Sequence, residues 1–269
     1  MPLEREERYL ATVIGPIRLC ESYKPKMGQR ANAGLNLSDF QRLYQSDPFY
    51  SWFGLDNPLM YAAHKAAGGM TSIYRQIGIG CQHLISKILQ DELNLSEEQT
   101  RWSYSTRGVN NKIRTLSLDG RIRLDDVADR TKRSKIEKWI ADICNSLDIN
   151  EGISSNLQGV VFEVRQGYKS KDSKRQNADI ANAATAYSQA YLPCLALLSM
   201  QLDEDMFYRY QAEKWAILMG RITNGSSLNS TYYFMSEVIG YDLASFFEIH
   251  ADTLHDEIAR VLEALLRPE

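Results

Sequence analysis

The 269-residue chain predicts an α/β fold with a mixed central β-sheet flanked by helices, and three observations carry that expectation. Residues 160–164 and 191–200 are apolar runs of the length and composition of buried strands. An alanine-rich stretch over 177–190 reads as the helix between them. Strand, helix and strand in about forty residues make a βαβ crossover, which requires parallel strands and a right-handed connection. Hydrophobic residues make up 44% of the chain and charged ones 24%, enough apolar surface for a full core. No internal repeat, low-complexity stretch or Pro/Gly-rich linker interrupts it, so a single domain over 1–269 is expected.

The elements follow in order. The first sixty residues read as irregular, with an aromatic cluster (Phe49, Tyr50, Trp52, Phe53) and the turn-forming Asp56-Asn57-Pro58. From about Gly69 to Leu93, the residues Ile73, Ile77, Cys81, Leu84, Ile85, Ile88 and Leu89 keep a helical period, and Asn94 and Ser96 supply stop and cap signals. Residues 112–118 alternate like a half-buried strand. Asp119-Gly120 then suits a two-residue hairpin turn, with Arg121–Leu124 alternating on its far side. Residues 130–147 read as a helix with Ile136, Trp139, Ile140 and Ile143 on one face. Beyond Asp205 the chain reads as largely helical, with a loop at Asn224-Gly225-Ser226-Ser227.

Composition also excludes several classes. Cys20, Cys81, Cys144 and Cys194 are too scattered for a zinc or disulfide framework, which points to a reducing cytoplasmic setting. The charged N-terminus does not read as a signal peptide, and no apolar run approaches the roughly 18 residues of a membrane span. P-loop, Rossmann, nucleophile-elbow and kinase motifs are missing, and His64, His83, His250 and His255 have no metal-ligand spacing. The net charge of −3 conceals an asymmetry. Residues 101–138 carry eleven Lys/Arg against five acids, and residues 165–175 carry five against one. Local fields of that kind steer polyanions.

The most informative segment is 159–179. Glu163 lies inside the apolar strand 160–164, where a carboxylate is costly unless a cation neutralises it. Arg165, Lys169, Lys171, Lys174 and Arg175 follow, interleaved with Gln176, Asn177 and serines. Strand parity places Glu163 and Arg165 on one face, and Gly167 permits a bulge that returns Lys169 to their side. A carboxylate beside a base at the end of a central strand suits Mg²⁺, the metal acting as Lewis acid on a bound water. A second acid is needed, and Asp119 and Asp126 stand level for it, with Asp125 beside the latter. Asp119 is equally explained by the needs of a tight turn. Glu163 is equally explained as half of a buried ion pair with Arg165.

These residues together resemble the PD-(D/E)XK nuclease superfamily, and within it the type II restriction endonucleases. The resemblance covers about residues 112–200 and rests on the expected hairpin around Asp119-Gly120, the strand Val160–Arg165, the helix-strand unit running on to Met200, and the Tyr168–Asp179 run. It implies a restriction-endonuclease-like αβββαβ core, with extra helices at both ends. It implies Mg²⁺-dependent cleavage of double-stranded DNA at a short specific sequence by a homodimer. Glu163 matches the second acid, and Asp119 or Asp126 the first. The lysine expected two residues beyond Glu163 is Arg165 here, and arginine is almost never deprotonated, so the role falls to Lys169. Arg121, Arg123, Arg165, Lys171, Lys174, Arg175, Gln176 and Asn177 are then expected to face DNA. The competing expectation is a non-catalytic nucleic-acid-binding protein using the same basic surface, and a third is a structural α/β protein in which Glu163 is simply paired.

Overall fold

A computed structural model describes residues 2–27, 34–107, 113–167 and 182–267 of the chain. The class is mixed α/β, and the chain divides into two compact units. One comprises Met1–Gly80 with Ile249–Glu269, the other Cys81–Glu248. Where the sequence predicts one undivided domain, this division has no linker to announce it. The boundary falls within the continuous helix Pro58–Leu93.

The first unit is helical. The helix Pro2–Arg18 lies in a stretch expected to be irregular. Its buried Tyr9, Val13, Ile14 and Ile17 do hold a helical spacing, hidden by the charged residues around Arg5–Arg8. It packs against Ala251–Leu266, whose Val261 and Leu265 are buried. Pro58–Leu93 begins eleven residues before the expected Gly69, with Asn57 accepting the Leu59 N–H at 2.7 Å and Pro58 opening the helix. Gly80 in that helix meets Pro2–Arg18 closely. A Cβ there would stand 2.7 Å from the Val13 carbonyl oxygen. Arg18 and Arg260 both grip the buried Glu257 carboxylate, with Arg18 Nε at 3.0 Å, and Arg260 Nε reaches on to Glu21 at 2.6 Å. These hydrogen bonds hold the Glu257 carboxyl below its usual range.

The second unit is built on two sheets. Strands β1 (Trp102–Arg107) and β2 (Ile113–Leu118) form an antiparallel pair, Trp102 facing Leu118. Strands β3 (Gly120–Arg123), β4 (Gly159–Arg165), β5 (Tyr191–Leu197) and β6 (Ala216–Leu218) form a four-stranded sheet in that order. β3 runs antiparallel to β4, while β4, β5 and β6 are mutually parallel. The expected parallel pairing of 160–164 with the run 191–200 is therefore present, over Tyr191–Leu197, and helical residues 182–188 precede β5. Strand β6 lies where mostly helix was expected; Ala-Ile-Leu is too short to show a period.

The expected Asp119-Gly120 hairpin is corrected. β2 pairs with β1 and β3 with β4, so the chain passes from one sheet to the other at Asp119 without reversing. The partners decide this against local preference: β2 closes on Trp102–Arg107, and β3 has the buried β4 to pair with. One face of the sheet presents Val161, Leu195 and Leu197 to Trp102, Ala183, Ala186, Met206, Tyr210 and Trp215. The opposite face packs Phe162 on Phe234, which in turn meets Trp139 of the helix Arg130–Ser146. Among the described residues, no helix is long and apolar enough to cross a membrane.

Two outcomes follow from the packing of the first unit. Gly80→Ala should lower the unfolding free energy by about 1–3 kcal/mol, read by denaturant titration, because the obstacle is backbone and cannot swing aside. Glu257→Gln should cost about 1–2 kcal/mol, since Arg18 and Arg260 are half exposed and regain water. The native contribution is complete above the ordinary carboxylate range and is lost as pH falls through the depressed folded-state value. A melting series from neutral to acid pH should therefore show the native and Glu257→Gln proteins converging.

Candidate active site

β4 is the strand from which the site is built. Six of its seven residues are buried, and the seventh, Arg165, is intermediate. Glu163 is 4% exposed, paired with Leu195 of β5 one residue beyond the β3 ladder, and Arg165 lies on the same face two residues on. Their side chains form a direct ion pair, Arg165 Nη2 to Glu163 Oε1. The cation that a buried carboxylate requires is thus supplied from the same strand. β4 ends at Arg165, so Glu163 sits at the carboxyl end of a parallel strand, where open α/β sheets place their ligands.

Asp119 is brought to this end by an irregularity in the ladder. Gly120 stands opposite Phe162, yet the Asp119 N–H also donates to the Phe162 carbonyl, at 2.8 Å. Two residues of one strand facing one of the other is a β-bulge, a device that re-aims side chains. The Asp119 carboxylate then takes the place of a backbone acceptor: its Oδ2 receives the Val164 N–H at 2.8 Å. It also receives Gln82 Nε2 at 3.0 Å, and the same Gln82 amide nitrogen donates to the Val164 carbonyl at 3.2 Å. Asp119 is thereby fixed to the residue next to Glu163, and the two carboxylates share one end of the sheet.

Asp126 is not part of this site. The β3–β4 ladder runs from Gly120 opposite Phe162 to Arg123 opposite Gly159, and the Leu124 N–H donates to Gln158 O at 2.8 Å. Asp125 and Asp126 follow in a short 3₁₀ turn at the end of β3 remote from Glu163. Of the two acids that stood level in the sequence, the strand register brings only Asp119 to Glu163.

The basic residues separate in the same way. Arg121 Nε donates to Gln99 O at 2.9 Å and its Nη2 lies 4.0 Å from Asp126, so it secures the chain before β1. Arg123 is more open, 3.6 Å from Asp125, but at the end remote from Glu163. Arg165 is committed to Glu163. Lys169, Lys171, Lys174, Arg175, Gln176 and Asn177 lie outside the described residues.

Gln82 is the residue that sequence reasoning missed. It stands three and seven positions before the buried Ile85 and Leu89, on the buried stripe of the helix Pro58–Leu93. An amide in an apolar stripe was the available signal. Burial raises the thiol of its neighbour Cys81 to about 12 and the Tyr232 phenol to about 12, and pushes the Cys194 thiol up as well. None of these is an ionised nucleophile near neutral pH.

Among the described residues, no group of three or more His, Cys, Asp or Glu side chains is placed to hold a metal ion. The Asp119–Glu163 pair supplies hard carboxylate oxygens, the donor type that Mg²⁺ takes one or two of, completing its shell with water and substrate. Glu163 already faces a cation, the Arg165 guanidinium. The donor chemistry thus fits a magnesium ion. Comparison with protein-family models, curated proteins and solved structures finds no match to this chain.

Removing the Gln82 amide without removing its bulk should expose the cost of the bridge. Gln82→Leu leaves the Asp119 carboxylate and the Val164 carbonyl each short of a donor. It should destabilise the protein by about 1–3 kcal/mol in equilibrium unfolding.

Proposed function

We propose that the chain is a Mg²⁺-dependent, site-specific deoxyribonuclease of the type II restriction kind, acting on double-stranded DNA as a homodimer in the cytoplasm. The observation that supports this reading is that Asp119 and Glu163, forty-four positions apart in sequence, both lie at the carboxyl end of β4, where a bulge and a Gln82 bridge tie Asp119 to Val164. The proposed core is the restriction-endonuclease-like αβββαβ arrangement.

Asp119 and Glu163 would hold the magnesium. When bound, the metal supplies a Lewis acid at the phosphodiester and lowers the pKa of a coordinated water. Arg165 is the cation that neutralises the buried Glu163 carboxylate, and it does not act as a base. Lys169 is assigned, on the resemblance, to align the attacking water. Lys171, Lys174, Arg175, Gln176 and Asn177, with Arg123, would meet phosphates and base edges. A two-fold DNA site favours one active site per strand, hence the dimer.

The Glu163–Arg165 pair also favours a second reading. If that pair is only structural, the same basic segments belong to a non-catalytic nucleic-acid-binding protein. Incubating sequence-diverse plasmid or phage DNA with the full chain, in Mg²⁺ and in EDTA, separates the two. Discrete bands that need Mg²⁺ are expected. Salt-sensitive DNA binding with intact DNA in both conditions would leave the binding protein.

In the cutting assay, Asp119→Asn and Glu163→Gln should each lower the rate by on the order of 10²–10³-fold. The Asp119→Asn variant keeps an acceptor for the Val164 N–H, so its melting temperature should stay close to the native value. If both variants cut at the native rate, these carboxylates are not the metal ligands.

A further inference from the structure

The first unit carries an apolar surface that the proposed chemistry does not use. Trp52 is 81% exposed, Leu59 72%, Phe53 68%, Phe49 58% and Tyr50 44%. Other exposed apolar residues, such as Ile113, Tyr208 and Ile249, lie well apart in sequence. Here five fall within eleven positions, on the short helix Pro48–Trp52, the residue after it and the start of the helix Pro58–Leu93. Asp47 accepts the Phe49 N–H at 3.0 Å with Pro48 opening the turn Pro48–Trp52, and Asn57 opens the long helix. The rings form a chain: Phe53 to Phe49 at 5.1 Å, Phe49 to Tyr50 at 5.6 Å, and Tyr50 to Tyr44 at 5.3 Å. Tyr44 stacks in turn on the buried Phe40 at 4.5 Å, so the patch is anchored in the core of its unit.

The geometry points to a second copy of this chain as the occupant, in an isologous contact of patch on patch. Charge decides against a polyanion. The twenty residues 44–63 contain no Lys or Arg, and their only charges are Asp47 and Asp56. Nucleic acid and anionic lipid are repelled by such a face. Aromatic enrichment with few charges marks the core of a protein interface. Size decides for a stable pairing. The exposed parts of the four rings and Leu59 present on the order of 600 Å² of apolar surface. A standard interface buries about 800 Å² per partner, so these side chains with a polar rim are enough. A face of this size left in water is an aggregation liability unless covered, and a copy brings a match in area and composition. The surface bears on the dimeric half of the proposed function and on nothing in its chemistry.

Sedimentation equilibrium of the full chain tests it, with Trp52→Glu, Phe53→Glu and, as a control outside the patch, Tyr208→Glu. The native chain and Tyr208→Glu should sediment at twice 30.7 kDa. Each patch variant should weaken the dimer by about 30-fold or more, the loss typical of a buried aromatic anchor, with native thermal unfolding retained. A dimer unchanged in both patch variants would overturn the assignment, as would a native chain that stays monomeric. A monomeric native chain that floats with phosphatidylcholine vesicles would overturn it in favour of a lipid surface. The cleavage assay on the same preparations keeps the two inferences apart. A monomer that cuts DNA removes the interface alone, and a dimer that leaves DNA intact removes the chemistry alone.

Discussion

A carboxylate buried in the middle of a sheet has to be neutralised, and the second unit is organised around that requirement. Glu163 is flanked by Val161, Phe162 and Val164, all essentially sealed from water. Arg165 answers it from the same strand face, at the one position of β4 that is not fully buried. The guanidinium can therefore reach Glu163 while keeping contact with solvent. A lysine at 165 would offer a point charge on a flexible stem, whereas arginine's planar fork loses less freedom per hydrogen bond formed. This interaction gives the buried Glu163 carboxylate a cation on its own strand face.

Asp119 depends on that same strand end in a different way. Its carboxylate is joined to a backbone N–H, so moving it would break the ladder at Val164. Gln82 closes the arrangement by bonding both the acid and the Val164 carbonyl with one amide. Helix, bulge and central strand are consequently linked through three polar groups at one point. That linkage fixes Asp119 to the backbone of the strand that carries Glu163 through the protein's own hydrogen bonds.

The parts of the fold legible in the sequence are those whose pattern is long and local. The apolar runs of β4 and β5, their parallel pairing, and the 3.6-residue stripe of Arg130–Ser146 all follow from periodicity. What was not legible depends on partners distant in sequence. Asp119-Gly120 has the composition of a tight turn, but β1 claims β2 and β4 claims β3, and the turn becomes a bulge between sheets. The choice between Asp119 and Asp126 is likewise a matter of register, which no local pattern encodes. Gln82 could be flagged as a polar residue on a buried stripe; that it meets Asp119 could not.

Arginine in place of the expected lysine has a consequence for how such a site would work. A group that never gives up its proton cannot take one from water, so neutralising Glu163 and activating a nucleophile become tasks for different residues. Under the proposed function, Asp119 and Glu163 would hold a divalent ion while Arg165 stays against Glu163. The carboxylate would at no stage be buried without a positive partner, which is the costly state for such a group. The pairing of Glu163 with Arg165 on one strand face is therefore compatible with the proposed catalytic role.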